Sequence, residues 1–113
     1  MTTIKNFEDL EIWRQARELG NLIYSDFREL RAFGFRDQVT GAGISIMNNI
    51  SEGFCGGGNG ELKQLLKISK SSAGEVKSMH YIAEDQTYVL KEIALDRRER
   101  TQRLINSTGS FIK

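Results

Sequence analysis

Apolar side chains recur along the chain at helical spacing, and four such stretches can be followed. In the first, Ile12, Ala16, Leu19, Ile23, Phe27 and Leu30 fall three and four residues apart, which puts them on one face of a helix. Trp13 and Leu22 widen that stripe, while Arg14, Arg17, Glu18 and Glu29 lie mostly off it. Asn6 is placed to cap the first amides, and Gly34, between Phe33 and Phe35, suits a left-handed terminator; a helix is predicted over 6–32. The second stretch, 36–52, carries Val39, Ala42, Ile46 and Ile50 on one stripe, with Gly43 and Ser45 as small neighbours and Ile44 and Met47 off it. Apolar residues on two faces predict a helix with neighbours on both sides.

Gly53-Phe54-Cys55-Gly56-Gly57-Gly58-Asn59-Gly60 then breaks the pattern. A third helix is predicted over 60–84, with Leu62, Leu65, Leu66, Ser69, Ala73, Val76, His80 and Ala83 on its inner face. After the polar turn Asp85-Gln86-Thr87, a fourth is predicted over 89–112. Its middle, Asp96 to Arg103, has no apolar residue, so its continuity stays open. Four helices joined by short turns predict an all-α fold, an antiparallel up-down-up-down four-helix bundle, and no alternating strand pattern competes.

Composition narrows the class. The 113 residues suit a single domain, 1–113. An apolar share of 39% is below the globular average, which implies a small core or one completed by further copies of the chain. Proline, the strongest helix breaker, does not occur. The one cysteine, Cys55, excludes an internal disulfide framework and suits a reducing compartment. The segment Met1 to Asn6 lacks the apolar core of a signal peptide, and no stretch approaches the ~20 apolar residues of a membrane span. A cytoplasmic location without membrane attachment is expected.

Net charge is +1 but unevenly spread: residues 1–30 carry −2 and residues 91–113 carry +3. An acidic first helix and a basic last one predict antiparallel pairing, within one chain or between subunits. Lys63, Lys67, Lys70 and Lys77 recur at helical spacing on the third helix, opposite much of its apolar face. Arg97, Arg98, Arg100 and Arg103 suggest a second basic surface on the fourth. Two readings stand for these eight residues: an ordinary solvated face, or a surface that follows a phosphate backbone. No aromatic residues interleave with them as a single-strand stacking platform requires.

Catalytic chemistry finds no constellation. The glycine-rich segment lacks the Gly-Lys-Ser/Thr ending and preceding strand of a P-loop, and is a flexible connector or a simple anion cradle. Cys55 and His80, the one histidine, fall toward opposite ends of one long helix, too far apart for a nucleophile and its base. Lys77 rather than Glu stands three residues before His80, so the Glu-x-x-His metal motif of bundles is missing. No enzyme activity, metal or cofactor is expected. Ser45, Asn48, Asn49 and Glu52 lie among apolar neighbours on the second helix, and Ser72 and Glu75 of the third are placed to meet them in a structural polar network.

Two segments resemble a known family. Phe7-Glu8-Asp9-Leu10-Glu11-Ile12-Trp13, followed by Ala16, is similar to the opening of the 23S rRNA intervening-sequence proteins. Ser45-Ile46-Met47-Asn48-Asn49-Ile50-Ser51-Glu52-Gly53-Phe54 resembles that family's Ser-Ile-x-x-Asn-Ile-x-Glu-Gly signature. Glu61-Leu62, Ser72, Glu75 and Tyr88-Val89 extend the resemblance past Tyr88. It implies a long-helix antiparallel bundle assembling as a ring of five, without catalytic residues. Some members are encoded inside insertions of bacterial large-subunit rRNA genes. Related proteins serve reverse transcriptases of diversity-generating retroelements, binding the enzyme and nucleic acid. This chain departs from the pattern after Glu52-Gly53: glycines 56, 57, 58 and 60 stand where the family usually has arginine or lysine.

A homo-oligomer is therefore expected, pentameric by resemblance, with contacts through Trp13, Ile44, Met47, Phe111 and Ile112. Its expected partner is structured RNA or a reverse-transcriptase-like protein. A scaffold that binds only protein is the competing expectation.

Overall fold

The computed structural model describes residues 4–112. Residues 1–3 and Lys113, part of the expected domain 1–113 and, at the N-terminus, of the segment without a signal-peptide core, lie outside them. A short 3-10 turn, Phe7–Asp9, leads into four helices: α1 (Glu11–Phe27), α2 (Phe33–Cys55), α3 (Asn59–Asp85) and α4 (Lys91–Ile112). Each packs against the next in sequence, and α4 closes more lightly onto α1, so the bundle is antiparallel and up-down-up-down. Its extents are 46 × 22 × 19 Å; the long one is set by α3, whose 27 residues at 1.5 Å each give about 40 Å. No helix among the described residues is long and apolar enough to cross a membrane.

The inner stripes are those the spacing predicts. Ile12, Ala16, Leu19, Ile23 and Phe27 of α1 meet Val39, Ala42, Ile46 and Ile50 of α2 and Leu66, Ala73, Val76 and Ala83 of α3 in one core. At the end where α1 turns into α2, Phe27 stacks edge-on against both Phe35 and His80, and Phe35 against Tyr88. That aromatic plug explains one departure from the sequence reading. Phe27 and Phe35, with centroids 5.6 Å apart, can meet only if the chain reverses between them. α1 therefore stops at Phe27 rather than near residue 32, and Gly34 lies in the first turn of α2 instead of terminating a helix. Asn6 likewise gives no side-chain cap; its backbone carbonyl, rather than its side chain, accepts a bond from Asp9 N–H.

The glycine segment also begins later than its composition suggests. Gly53 remains inside α2 because the helices approach closely there: a Cβ on it would lie 3.1 Å from Leu62 Cδ1 and 3.3 Å from Leu65 Cβ. The connector shrinks to Gly56–Gly58, with Gly57 in the left-handed region at φ 83°. The Glu61 carboxylate folds back onto Gly56, 2.7 Å from where a Cβ would stand.

α4 is continuous through its charged middle. Its buried face is Ala94, Arg97, Thr101, Leu104 and Thr108, a perfectly helical spacing built on one arginine and two threonines. The inward stripe exists but is only partly apolar.

Candidate functional site

Eight basic residues were candidates for contact with phosphate, and the fold separates them into two groups. Arg97 is a core residue, 7% exposed. Its guanidinium forks onto Asp26 of α1, Nε to Oδ2 at 2.7 Å and Nη2 to Oδ1 at 2.8 Å, and also pairs with Asp96. These hydrogen bonds to Asp26 lead in raising the Arg97 pKa further, against the opposing effect of burial. Burial alone would raise the Asp96 carboxyl, but bonds from Arg100 and Arg97 outweigh it and hold the group below the ordinary carboxylate value. Arg98 binds Glu84 at 2.9 Å and the His80 carbonyl at 3.3 Å, and lies over the Tyr81 ring. Arg100 bridges Glu18 of α1 and Asp96.

Arg97, Arg98 and Arg100 therefore do not form a second basic surface. Their charge is matched by carboxylates of the same chain, because a planar five-donor guanidinium can satisfy two carboxylates or a carboxylate and a carbonyl at once. Arg103 is exposed, but on the α1 side, in a groove shared with Glu11 and Glu18.

The lysines behave otherwise. Lys63, Lys67 and Lys70 are exposed, and none forms an ion pair among the described residues. Lys77 is half-buried and donates to Gln102 Oε1 at 2.7 Å, which removes it from the open set. Lys67 and Lys70 border a groove between α3 and α4 whose other walls are Ser71, Ile105, Gly109 and Ile112. No carboxylate lines it. Four other grooves that contain arginine each contain an acid as well: Glu8, Glu18, Glu11 with Glu18, or Asp37.

Of the residues placed in a polar network, Ser45 and Ser72 share a 2.9 Å hydroxyl bond across α2 and α3, and Asn49 donates to Ser45 Oγ and its carbonyl. Asn48 and Glu52 instead face solvent, one position round the helix from the seam. Glu75 accepts from Gln38 rather than from the signature residues. Two members were not foreseen: Gln38, and the fully buried Ser69, whose hydroxyl donates to the Ile46 carbonyl at 2.8 Å. Ser69 sits on the apolar stripe of α3, and a serine on such a stripe is the signal that could have found it.

Trp13, Ile44 and Met47, named for self-association, come together in a groove of about 610 Å³ between α1 and α2, with Phe7, Gly20 and Tyr24. Phe7 meets Trp13 edge-on and Arg17 lies over its ring. Phe111 and Ile112 are elsewhere, at the end of α4, and Ile112 belongs to the lysine groove.

Cys55 is exposed at the end of α2, whereas His80 lies 21 residues into α3, about 32 Å along its axis. His80 is fully buried, and its Nδ1–H donates to the Val76 carbonyl at 2.8 Å, leaving Nε2 without a partner. Burial lowers its pKa, opposed by the Val76 bond and by Asp26. No group of three or more His, Cys, Asp or Glu is arranged to hold a metal among the described residues.

A family model described as 23S rRNA-intervening sequence protein matches residues 8–110. Among solved structures, the chain is similar to a protein of unknown function from the S23 ribosomal protein family of Bacteroides thetaiotaomicron VPI-5482. The TM-score is 0.84 at 20% identity, over 90% of this chain and 98% of that one. At that identity the likeness speaks for the four-helix fold alone. No curated protein matches the sequence.

Proposed function

Since the chain belongs to the 23S rRNA-intervening sequence protein family, we propose that it is a non-enzymatic, self-associating bundle that binds structured RNA through the lysine face of α3. The observation that carries this reading is the α3–α4 groove, bordered by Lys67 and Lys70 and free of acids where the other arginine-bearing grooves are mixed. Positive charge next to the low-dielectric walls of Ile105 and Ile112 concentrates the field at the groove, which attracts polyanions. Lys63 extends the same face by one turn. The bases at this surface are aliphatic-stemmed lysines without aromatic neighbours, which suits backbone tracking of a folded RNA rather than stacking of single-strand bases.

Self-association through the α1–α2 groove is compatible with this assignment. Trp13 and Tyr24 are residue types that dominate interface energetics, and the groove is on the flank away from the lysines. A ring built on it, of five subunits by family resemblance, repeats the lysine face once per subunit, so that individually weak phosphate contacts act together. Such a protein would act in the cytoplasm, where its exposed cysteine stays reduced.

Fluorescence anisotropy of the purified protein tests the reading, with a structured rRNA fragment and an unrelated coding RNA, each at low and near-physiological salt. Binding that weakens steeply with salt, and that the Lys63→Ala/Lys67→Ala/Lys70→Ala variant loses, is the expected result. Absence of binding at low salt would end the RNA reading and leave a module that binds protein. Sedimentation of wild type and Met47→Glu tests the assembly, since a carboxylate in the α1–α2 groove should shift the protein to monomer.

A further inference from the structure

Gly109 stands in the last turn of α4, still helical, where alanine would favour the helix by up to about 1 kcal/mol. Packing does not demand the glycine. The nearest atoms to a Cβ built on it are Lys70 Nζ at 3.6 Å and Lys70 Cε at 4.0 Å, ordinary contact distances to the end of a flexible side chain. What the glycine does is keep the floor of the groove open and let the Lys70 ammonium lean across from α3. Lys67 and Ser71 stand along the same wall, and Ile105 and Ile112 flank Gly109 one turn to either side. The groove holds two ammonium groups, one hydroxyl and an apolar strip, with a volume of about 510 Å³, inside the roughly 300–1,000 Å³ typical of small-ligand sites.

We propose that one backbone phosphate of the bound RNA seats in this groove over Gly109, between Lys67 and Lys70, with its sugar against Ile105 and Ile112. This rests on the RNA reading above and adds a fixed contact to what would otherwise be diffuse attraction. The seat is blind to sequence, because it offers nothing to a base edge. It also sets which part of the RNA backbone lies against the α3–α4 seam. The Ser71 hydroxyl donates to the phosphate, and Lys63, one turn further along α3, meets a neighbouring one.

Two substitutions fill the groove without changing any charge. Gly109→Ala adds one methyl and Gly109→Leu closes the floor and displaces the Lys70 ammonium. Both favour helix, so thermal melting by circular dichroism should show midpoints at or above that of the wild type. Anisotropy titrations of a short RNA hairpin across a salt series should show the opposite trend. Affinity should fall slightly in Gly109→Ala and several-fold in Gly109→Leu. The slope of log K against log salt should drop by about 0.7–0.9 in the leucine variant, the value of one lost phosphate contact. Stability that rises while binding falls is not what a purely structural glycine gives. If wild type binds the hairpin, the triple lysine variant does not, and Gly109→Leu binds with wild-type affinity and slope, the seat is wrong while the RNA reading survives. If wild type does not bind the hairpin at low salt, or binds anionic phospholipid vesicles in its place, both fall.

Discussion

The two flanks of α4 handle positive charge in opposite ways. Toward α1, Arg97 and Arg100 meet Asp26, Asp96 and Glu18, and the seam is held by ion pairs that reach into the core. Toward the outside of α3, Lys67 and Lys70 line a groove with no acid in it. Before folding, both sets are simply basic residues at helical spacing. Charge density along a helix therefore says little about available charge; what decides is whether the helix opposite brings carboxylates into reach. The side chains suit their tasks. Arginine's rigid fork is suited to a bidentate internal pair, and lysine's hydrated point charge to a mobile surface contact.

The sharpest way to break this contrast is Arg97→Ala. Asp26, whose side chain is 11% exposed, would lose both bonds from the fork and stay largely desolvated. A buried pair broken on one side costs about 3–5 kcal/mol, which urea denaturation would read as a large fall in midpoint. Replacing both partners, Arg97→Met with Asp26→Leu, should recover most of that loss. If the single variant unfolds at the wild-type midpoint, the seam is not held by the pair.

Much of this arrangement was legible before folding, and the failures have identifiable causes. The −2 and +3 segments predicted that first and last helices pair, within one chain or between subunits; they pair within the chain, through Glu18–Arg100 and Asp26–Arg97. The inner stripes of α1, α2 and α3 followed from spacing alone. Which arginines would be neutralised did not, because Asp26 and Arg97 are 71 residues apart and nothing local links them. A clue was present. Arg97 shares its spacing with Ala94, Thr101 and Leu104, so an arginine stood on the inward stripe of a helix whose polar middle hid that stripe. Gly53 misled for a related reason. Glycine marks helix ends by backbone freedom, but a tight helix contact uses its missing side chain, and the local sequence cannot distinguish the two. Gly34 is exposed with open space around it, and the first turn of α2 simply tolerates it. The lysine face was visible from periodicity, except that Lys77 meets Gln102 of α4.

Acid sharpens the comparison next, because His80 sits behind the ion-paired seam and has no counterpart at the lysine groove. Its folded pKa is below the ordinary 6.5, with burial the main cause. The unfolded chain thus takes up a proton near 6.5 that the folded chain refuses. Stability is full above that value and declines as pH falls below it. Asp96, whose pKa is lowered beneath 3.8, contributes stability that is lost only at still lower pH, so the two windows separate. Urea midpoints for wild type should fall between pH 6.5 and 5, and those for His80→Leu should stay level. Equal declines in both would assign the effect to other groups.

A smaller effect is expected at the rim of the same seam. Arg100 is 31% exposed and Glu18 61%, so water and salt screen their pair. Arg100→Ala should cost no more than about 1 kcal/mol by urea denaturation, and less in high salt. A loss as large as that of Arg97→Ala would mean that the seam acts as one network and that burial does not grade it.

On the lysine side the effect on stability should nearly vanish. Removing Lys63, Lys67 and Lys70 breaks no ion pair among the described residues, and surface changes of this kind usually stay within about 0.5 kcal/mol each. Amine accessibility gives the finer measurement. Acetylation followed by mass spectrometry should label Lys63, Lys67 and Lys70 quickly and Lys77 slowly, because Lys77 is half-buried and donates to Gln102. Added RNA should then protect the three fast residues and leave the rate at Lys77 unchanged. Unchanged labelling of all three lysines at saturating RNA would overturn the assignment of this flank of α4 to the partner.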